Sequence, residues 1–245
     1  MAQPDTQGDE PMTTQHDVVF LFDCDNTLFD NDRLETDLSD HFVAAFGTAS
    51  RDRYWELLEQ LRSEVGYADY LGALQRARQQ DVSDARLFKT ASFLLDYPFA
   101  SHLYPGALDV LRHFATMGRT VILSDGDVVY QPRKIEHAGL WDAVEGRVLI
   151  PIHKERMLAA VAARYPARHY VVVDDKLRIL SAIKQSWGDR VTTVCPRQGH
   201  YACDPRNSEA FRAADVTVER IGDLTKHDFG ALLRADGGVA ALQGG

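Results

Sequence analysis

Residues 18–30 read VVFLFDCDNTLFD, five apolar residues followed directly by Asp23 and Asp25. A continuous apolar run of this length is typical of a parallel strand that is buried on both faces. Residues i and i+2 of an extended segment point the same way, so the two carboxylates should share one space while Cys24 packs on the opposite side. The stretch therefore predicts a central strand that delivers two acids to one face.

The same apolar pattern recurs three times along the chain. It appears as TVIL at 120–123, HYVVV at 169–173 and VTTVC at 191–195. Helical patterns with one apolar stripe lie between these runs, at 106–118, 154–165 and 176–188. Strand and helix alternating in this way predict an α/β fold with a doubly wound parallel sheet, in which ligands bind at the carboxyl ends of the strands.

One segment interrupts the alternation. From Asn31 to Phe99 the sequence shows helical periodicity and no strand pattern. We therefore expect a helical bundle inserted after the first strand. The expected division is a tail at 1–16, the α/β core at 17–30 and 100–236, the inserted helical bundle at 31–99, and a second tail at 237–245.

Composition narrows the class of protein. The 245 residues carry a net charge of −9, which disfavours binding to a nucleic-acid polymer, and no apolar run approaches the roughly 20 residues that span a membrane. Residues 1–16 have neither the basic cluster nor the apolar segment of a secretion signal, so we expect a cytoplasmic protein. Cys195, His200 and Cys203 could hold a metal, but an obvious fourth ligand is missing. The oligomeric state is left open.

Polar residues follow the predicted strands, and they should meet at one edge of the sheet. They are Asp23, Asp25, Ser124, Asp174 and Asp175, with Lys154 in the connection before the strand at 169–173. Four carboxylates within several Å would raise each other's pKa values unless a hard cation compensated them. Oxygen ligands suit Mg²⁺. An Asp at a strand end is also commonly a helix N-cap or part of a turn, so the joint pattern carries the prediction.

The order of these motifs resembles the haloacid dehalogenase (HAD) superfamily, in the phosphatase branch that carries an α-helical cap after strand one. The matching features are D-x-D-x-T at Asp23 to Thr27, Ser124 after a hydrophobic strand, Lys154, and the acidic pair Asp174-Asp175. The resemblance covers nearly the whole chain after the first tail. It implies a Rossmann-like core and a hydrolase that acts on a small phosphomonoester.

The resemblance also implies a role for each matching residue. Asp23 would be the nucleophile that forms an aspartyl-phosphate, and Asp25 would be the general acid and base. Ser124 and Lys154 would stabilise the phosphoryl oxygens in the transition state, although Lys176 could compete with Lys154 for this task.

The same resemblance implies the metal site. The Asp23 carboxylate, the Asp25 backbone carbonyl and one or both of Asp174 and Asp175 would hold Mg²⁺. Asp175 is the favoured acid of this pair, and Asp174 is the other candidate.

Two other functions are weighed against the phosphatase. A 2-haloacid dehalogenase uses the first Asp but expels halide, which needs no proton, so the acid at Asp25 argues for an oxygen leaving group. A non-catalytic binding protein would be favoured by loss of a motif residue, and none is lost.

Substrate identity does not follow from the sequence. Arg33, Arg51, Arg53 and Tyr54 could contact the leaving group, but a solvated helix face is the favoured interpretation. The same interpretation is favoured for Arg133 and Lys134.

Overall fold

The computed structural model of the chain describes residues 16–78 and 84–229. The tails expected at 1–16 and 237–245 lie outside the described residues, apart from His16.

The described residues form one parallel six-stranded sheet with the order β3-β2-β1-β4-β5-β6. The strands are β1 His16–Phe22, β2 Arg119–Leu123, β3 Val148–Leu149, β4 Ala167–Val173, β5 Val191–Pro196 and β6 Val216–Val218. The doubly wound α/β fold and its four predicted strands are confirmed. Strands β3 and β6 were not predicted, because two or three residues are too few to show a pattern.

The described residues between 31 and 99 form four α-helices, and we call α1 to α4 the inserted helices. They are α1 Asn31–Phe46, α2 Thr48–Val65, α3 Tyr70–Arg78 and α4 Ala85–Leu95. Asp30 caps the first of them, because its side chain accepts a hydrogen bond from the backbone N–H of Arg33 at 2.9 Å. Gly66 ends α2 with φ of 91°, a left-handed conformation that favours glycine.

The other described helices pack against the sheet and along its edges. They are α5 Ala107–Ala115, α6 Tyr130–His137, α7 Leu140–Ala143, α8 Leu158–Arg164, α9 Leu177–Trp187, α10 Gly199–Cys203 and α11 Pro205–Ala210. The three helices predicted from apolar stripes correspond to α5, α8 and α9. None of the described helices is long and apolar enough to cross a membrane.

The core lies on both faces of the sheet, which explains why β1 has an unbroken apolar sequence. Val18, Phe20 and Phe22 pack into one cluster, whereas Val19 and Leu21 pack into the other. Cys24 is fully buried in the first cluster, as the sequence predicts.

Strand register brings the polar strand ends together. Phe22 pairs with Ile122 on one side and with Val173 on the other. The residues that follow shortly after, Asp23, Ser124 and Asp174, are therefore neighbours at the carboxyl edge of the sheet. Asp23 continues the pairing, since its backbone N–H donates to Val173 O at 2.9 Å.

Replacing Phe20 by Ala should destabilise the protein by about 3–5 kcal/mol, the usual cost of removing a buried aromatic ring. The Phe20 ring is 1% exposed and lies 4.7 Å from the Phe114 ring between centroids. Urea unfolding followed by circular dichroism measures the change. The matched control is Phe88→Ala on α4, where the ring is 56% exposed and the change should stay within about 0.5 kcal/mol. Equal losses in the two variants would contradict this account of the core.

Candidate active site

Three buried carboxylates meet at the carboxyl edge of the sheet. Asp23 follows β1, and Asp174 and Asp175 follow β4; their side chains are buried, and one oxygen from each lies within 4.8 Å of the others. Carboxylates at such distances repel one another in a medium of low dielectric constant. The local structure therefore has to supply positive charge.

Lys154 supplies one such charge. Its Nζ lies 2.5 Å from Asp23 Oδ1 and 2.6 Å from Asp174 Oδ2, and it also donates to Leu123 O at 3.4 Å. Burial disfavours the ammonium, but the carboxylates of Asp174, Asp23 and Asp125 raise the pKa of Lys154 above its ordinary value. Asp125 also accepts the backbone N–H of Lys154 at 2.8 Å, which fixes the loop that carries this lysine.

Asp175 has no such compensation. Both of its carboxylate oxygens are buried, and neither has a hydrogen-bond partner among the described residues. Burial raises the pKa of Asp175 well above its ordinary value; Lys176 lowers it, while Asp174 raises it further. A buried carboxylate with free acceptors beside two other acids is the donor set of a site for a hard cation, so these residues fit Mg²⁺.

Thr27 explains why the D-x-D-x-T motif needs its last residue. Its hydroxyl donates to Asp23 Oδ2 at 3.3 Å and accepts the backbone N–H of Asp175 at 3.1 Å. One buried side chain thus ties the end of β1 to the end of β4. The threonine fixes the two acids relative to each other.

The environment of Asp23 also changes its proton affinity. Burial raises the pKa of Asp23 to about 6, with Lys154 lowering it and Asp174 raising it. Compensation by the protein is therefore incomplete, which again points to a cation.

Asp25 has different partners from Asp23 although the two residues are two positions apart. Its side chain is 26% exposed, and both oxygens accept hydrogen bonds: Oδ1 from Lys134 Nζ at 2.6 Å and Oδ2 from Gln131 Nε2 at 3.1 Å. The same Gln131 amide donates to Ser124 Oγ at 3.0 Å. Helix α6 thus connects Asp25 to Ser124.

The expectation that Lys134 lies on a solvated helix face is wrong, since its side chain is fully buried. Gln131 is likewise buried and was missed by the sequence analysis. Sequence periodicity gave little signal, because a polar residue facing a polar site and one facing solvent look alike. Arg133, next to Lys134, does lie at the surface, where it donates a hydrogen bond to Leu95 O at 2.6 Å.

A cleft of about 240 Å³ opens between the inserted helices and this edge of the sheet. Its lining includes Asn31, Glu35, Arg62, Tyr67 and Tyr70 from the inserted segment, and Asp25, Asp125, Gln131, His153, Lys176 and Tyr201 from the rest of the chain. Lys176 Nζ lies 4.8 Å from the Tyr201 ring centroid. Asp25 therefore faces the cleft directly, while Asp23 is only 5% exposed.

The four candidates for substrate contact named from the cap sequence do not line this cleft. Each of the three arginines pairs with a carboxylate on its own helix, and Tyr54 is buried with its hydroxyl bonded to Tyr70 O. The solvated-face interpretation therefore holds for the arginines, whereas Tyr54 is a core residue. The arginine and tyrosine side chains of the inserted helices and their connections that do line the cleft are Arg62, Tyr67 and Tyr70.

The alternative metal set of Cys195, His200 and Cys203 is not assembled. In the part of the chain that the structure describes, the three acids are the group with the spacing of metal ligands. His200 instead places Nδ1 2.5 Å from Asp32 Oδ1.

Comparison with known proteins agrees with this fold. A family model described as a haloacid dehalogenase-like hydrolase matches residues 18–186. The chain belongs to this family. A haloacid dehalogenase-like hydrolase of Burkholderia xenovorans LB400 is 65% identical over 87% of this chain and 99% of its own, with a TM-score of 0.83. No curated protein matches the sequence.

More distant HAD hydrolases share the fold alone. L-2-haloacid dehalogenase of Xanthobacter autotrophicus is 19% identical over 85% of this chain and 96% of its own, with a TM-score of 0.55. The HAD hydrolase YfnB of Bacillus subtilis, whose structure holds magnesium, is 14% identical over 86% and 97%, with a TM-score of 0.58.

Replacing Asp175 by Asn should stabilise the metal-free protein at pH 8. The folded-state pKa of Asp175 is raised above the unfolded value of about 3.9. The contribution of this residue to the free energy of unfolding is therefore fully present below the unfolded pKa and is lost as the pH rises through the folded-state pKa. Removing this charge should restore on the order of 1–3 kcal/mol, the penalty of an unsatisfied buried group. Urea unfolding in EDTA at pH 8 and at pH 4 measures the effect, which should vanish at pH 4.

Asp40→Asn provides the control, since this carboxylate is exposed on α1 and its removal should change stability by less than about 0.5 kcal/mol. Millimolar Mg²⁺ should then raise the melting temperature of the wild type and leave that of Asp175→Asn unchanged. An Asp175→Asn protein that is less stable than the wild type at pH 8 in EDTA would contradict the account of this carboxylate.

Proposed function

We propose that this HAD hydrolase is a Mg²⁺-dependent phosphatase that hydrolyses a small phosphomonoester through an aspartyl-phosphate on Asp23. One observation carries the proposal: a second carboxylate, Asp25, lines the cleft two residues after the buried Asp23. Expelling an alkoxide requires a proton at the leaving oxygen, and a carboxyl group at this position can provide it. Expelling a halide requires none.

The first step belongs to Asp23. A carboxylate oxygen of Asp23 attacks phosphorus, the bond from phosphorus to the alcohol oxygen breaks, and that oxygen takes a proton from Asp25. Covalent catalysis of this kind divides one difficult displacement into two easier ones. The Lys154 ammonium at 2.5 Å and the Thr27 hydroxyl at 3.3 Å hold the two Asp23 oxygens in place.

The second step returns the enzyme to its starting state. Water attacks the phosphorus of the aspartyl-phosphate and gives a proton to Asp25, and inorganic phosphate leaves Asp23 as a free carboxylate. Ser124, Lys154 and the cleft-lining Lys176 are the groups proposed to bind the phosphoryl oxygens. Lys154 already contacts two carboxylates. Lys176 is therefore a stronger candidate for binding the phosphoryl oxygens than the sequence alone indicated.

Mg²⁺ is proposed to be held by the Asp23 and Asp175 carboxylates and the Asp25 backbone carbonyl. The unpartnered oxygens of Asp175 support this choice, whereas Asp174 Oδ2 forms an ion pair with Lys154 at 2.6 Å and Asp174 Oδ1 accepts the Lys176 backbone N–H. When bound, the ion supplies positive charge between an anionic nucleophile and an anionic substrate. The inserted helices, proposed as a cap over 31–99, close one wall of a cleft that suits a small molecule.

The rival function is 2-haloacid dehalogenation, the activity named for the distant Xanthobacter autotrophicus structure. Dehalogenation would use Asp23 as the nucleophile but would give no role to Asp25 or to Lys134 and Gln131, the two buried residues that donate hydrogen bonds to it. A non-catalytic role is disfavoured because every motif residue is present and the acids remain buried together.

Asp23→Asn should abolish Mg²⁺-dependent release of phosphate from 4-nitrophenyl phosphate and from small alkyl phosphates, a loss on the order of 10⁴-fold or more because the nucleophile is gone. Asp25→Asn should cost about 10²–10⁴-fold, the usual contribution of a general acid or base. Phosphate release measures both. Halide release from 2-haloacids by the wild type, without phosphatase activity on a panel of esters, would reject the proposal in favour of dehalogenation.

A further inference from the structure

Lys134 is a buried cation that contacts the cleft-lining Asp25 and that the proposed reaction has not yet used. Its side chain is fully buried, and Nζ donates to Asp25 Oδ1 at 2.6 Å and to Asn31 Oδ1 at 3.1 Å. The ammonium also lies 5.2 Å from the Phe29 ring centroid and 5.4 Å from that of Tyr130. Burying a lysine among aromatic rings costs free energy unless its hydrogen bonds are made, so this lysine is tied to Asp25.

Gln131 contacts the other oxygen of the Asp25 carboxylate. Its Nε2 donates to Asp25 Oδ2 at 3.1 Å and to Ser124 Oγ at 3.0 Å. Residues three apart lie on one face of a helix, so Gln131 and Lys134 both project from α6 toward Asp25. The two side chains together fix both oxygens of Asp25.

Lys134 is in turn hydrogen-bonded to Asn31 on the inserted helices. Asn31, which accepts from Lys134, donates through Nδ2 to Tyr70 at 3.0 Å and to Glu35 at 3.2 Å. The Tyr70 hydroxyl in turn donates to Glu35 Oε1 at 2.7 Å. A chain of buried and partly buried hydrogen bonds thus runs from the inserted helices to Asp25, and such networks hold their members in one arrangement.

We propose that Lys134 and Gln131 are positioning residues that hold the Asp25 carboxylate toward the leaving group. An aspartate that is 26% exposed has rotamers that turn it away from the substrate, and a proton donor works only within hydrogen-bond reach. The kinetic part of this inference rests on the proposed phosphatase function. The orientation of Asp25 does not, and it can be measured separately.

The kinetic test compares leaving groups. Lys134→Met and Gln131→Leu should lower kcat/KM for an alkyl phosphate by about 10²-fold, because an alkoxide leaves only with a proton. With 2,4-dinitrophenyl phosphate, whose phenolate leaves without one, the loss in kcat/KM should stay within about threefold. The comparison uses kcat/KM because this ratio reports the first step, whereas kcat also includes the second step, in which Asp25 takes a proton from water. Equal losses for the two substrates would overturn the proposal.

A double-mutant cycle isolates the connection to Asp25. In the Asp25→Asn background, Lys134→Met should cause no further loss on the alkyl phosphate, because the group it positions is already inactive. Losses that multiply would show that Lys134 acts otherwise. Lys184→Met is the matched control: this lysine pairs with Asp215 at 2.9 Å outside the cleft, so its loss should leave the leaving-group dependence unchanged.

Crystal structures of Lys134→Met and Gln131→Leu complete the test without relying on activity. The Asp25 carboxylate should rotate or become disordered in each variant while Asp23 stays in place. An unchanged Asp25 in both structures would overturn the positioning role. If Lys134→Met fails to fold, Gln131→Leu still tests the positioning role, because this substitution removes no charge. A wild type that hydrolyses no phosphate ester would reject the proposed function, and the orientation of Asp25 would still decide the inference.

Discussion

The Lys154 ammonium between Asp23 and Asp174 is the interaction on which the rest of the site depends. Parallel strands end together, so a sheet that presents acids on β1 and β4 brings their charges to one buried edge. With Nζ at 2.5 Å and 2.6 Å from the two carboxylates, Lys154 offsets part of the repulsion. Lys176 is a second positive charge near Asp175, so two ammonium groups face three buried acids, and the Asp175 oxygens have no hydrogen-bond partner among the described residues. Topology and charge together therefore support the proposed cation.

The two aspartates of the opening motif have different neighbours, which supports the different roles proposed for them. Asp23 is enclosed by Lys154 and Thr27 beneath the cleft, which suits a nucleophile that must keep one orientation. Asp25 faces the cleft and is held from α6 by groups that leave it in contact with the substrate space. The proposed covalent and proton-transfer roles thus fall on residues two positions apart.

The fold could be predicted from the sequence because its signals are local and strong. The apolar run of β1, the recurrence at β2, β4 and β5, and the helical stretch from Asn31 each follow from side-chain periodicity. The short strands β3 and β6 escaped because they pair at the sheet edge with too few residues to form a pattern. The acids were found because strand ends and spacing place them at one edge.

The partners of those acids could not be found in the same way. Lys134 and Gln131 reach Asp25 across more than 100 positions of sequence, and nothing in a helical pattern separates a buried polar face from a solvated one. The residues that line the cleft could not be predicted for the same reason. Arg62 lines the cleft and Arg53 does not, although both are arginines on α2. Such contacts depend on how the inserted helices sit over the sheet edge.

The central claim is that Asp23 makes a covalent bond to phosphorus. The most direct measurement is to quench the enzyme with acid during turnover of an aryl phosphate, reduce with borohydride and map the peptides by mass spectrometry. Borohydride converts an acyl phosphate to an alcohol, so Asp23 should appear as homoserine only when phosphate ester and Mg²⁺ are present. An unmodified Asp23 during phosphate turnover, or reduction at Asp23 only with a 2-haloacid, would contradict the account.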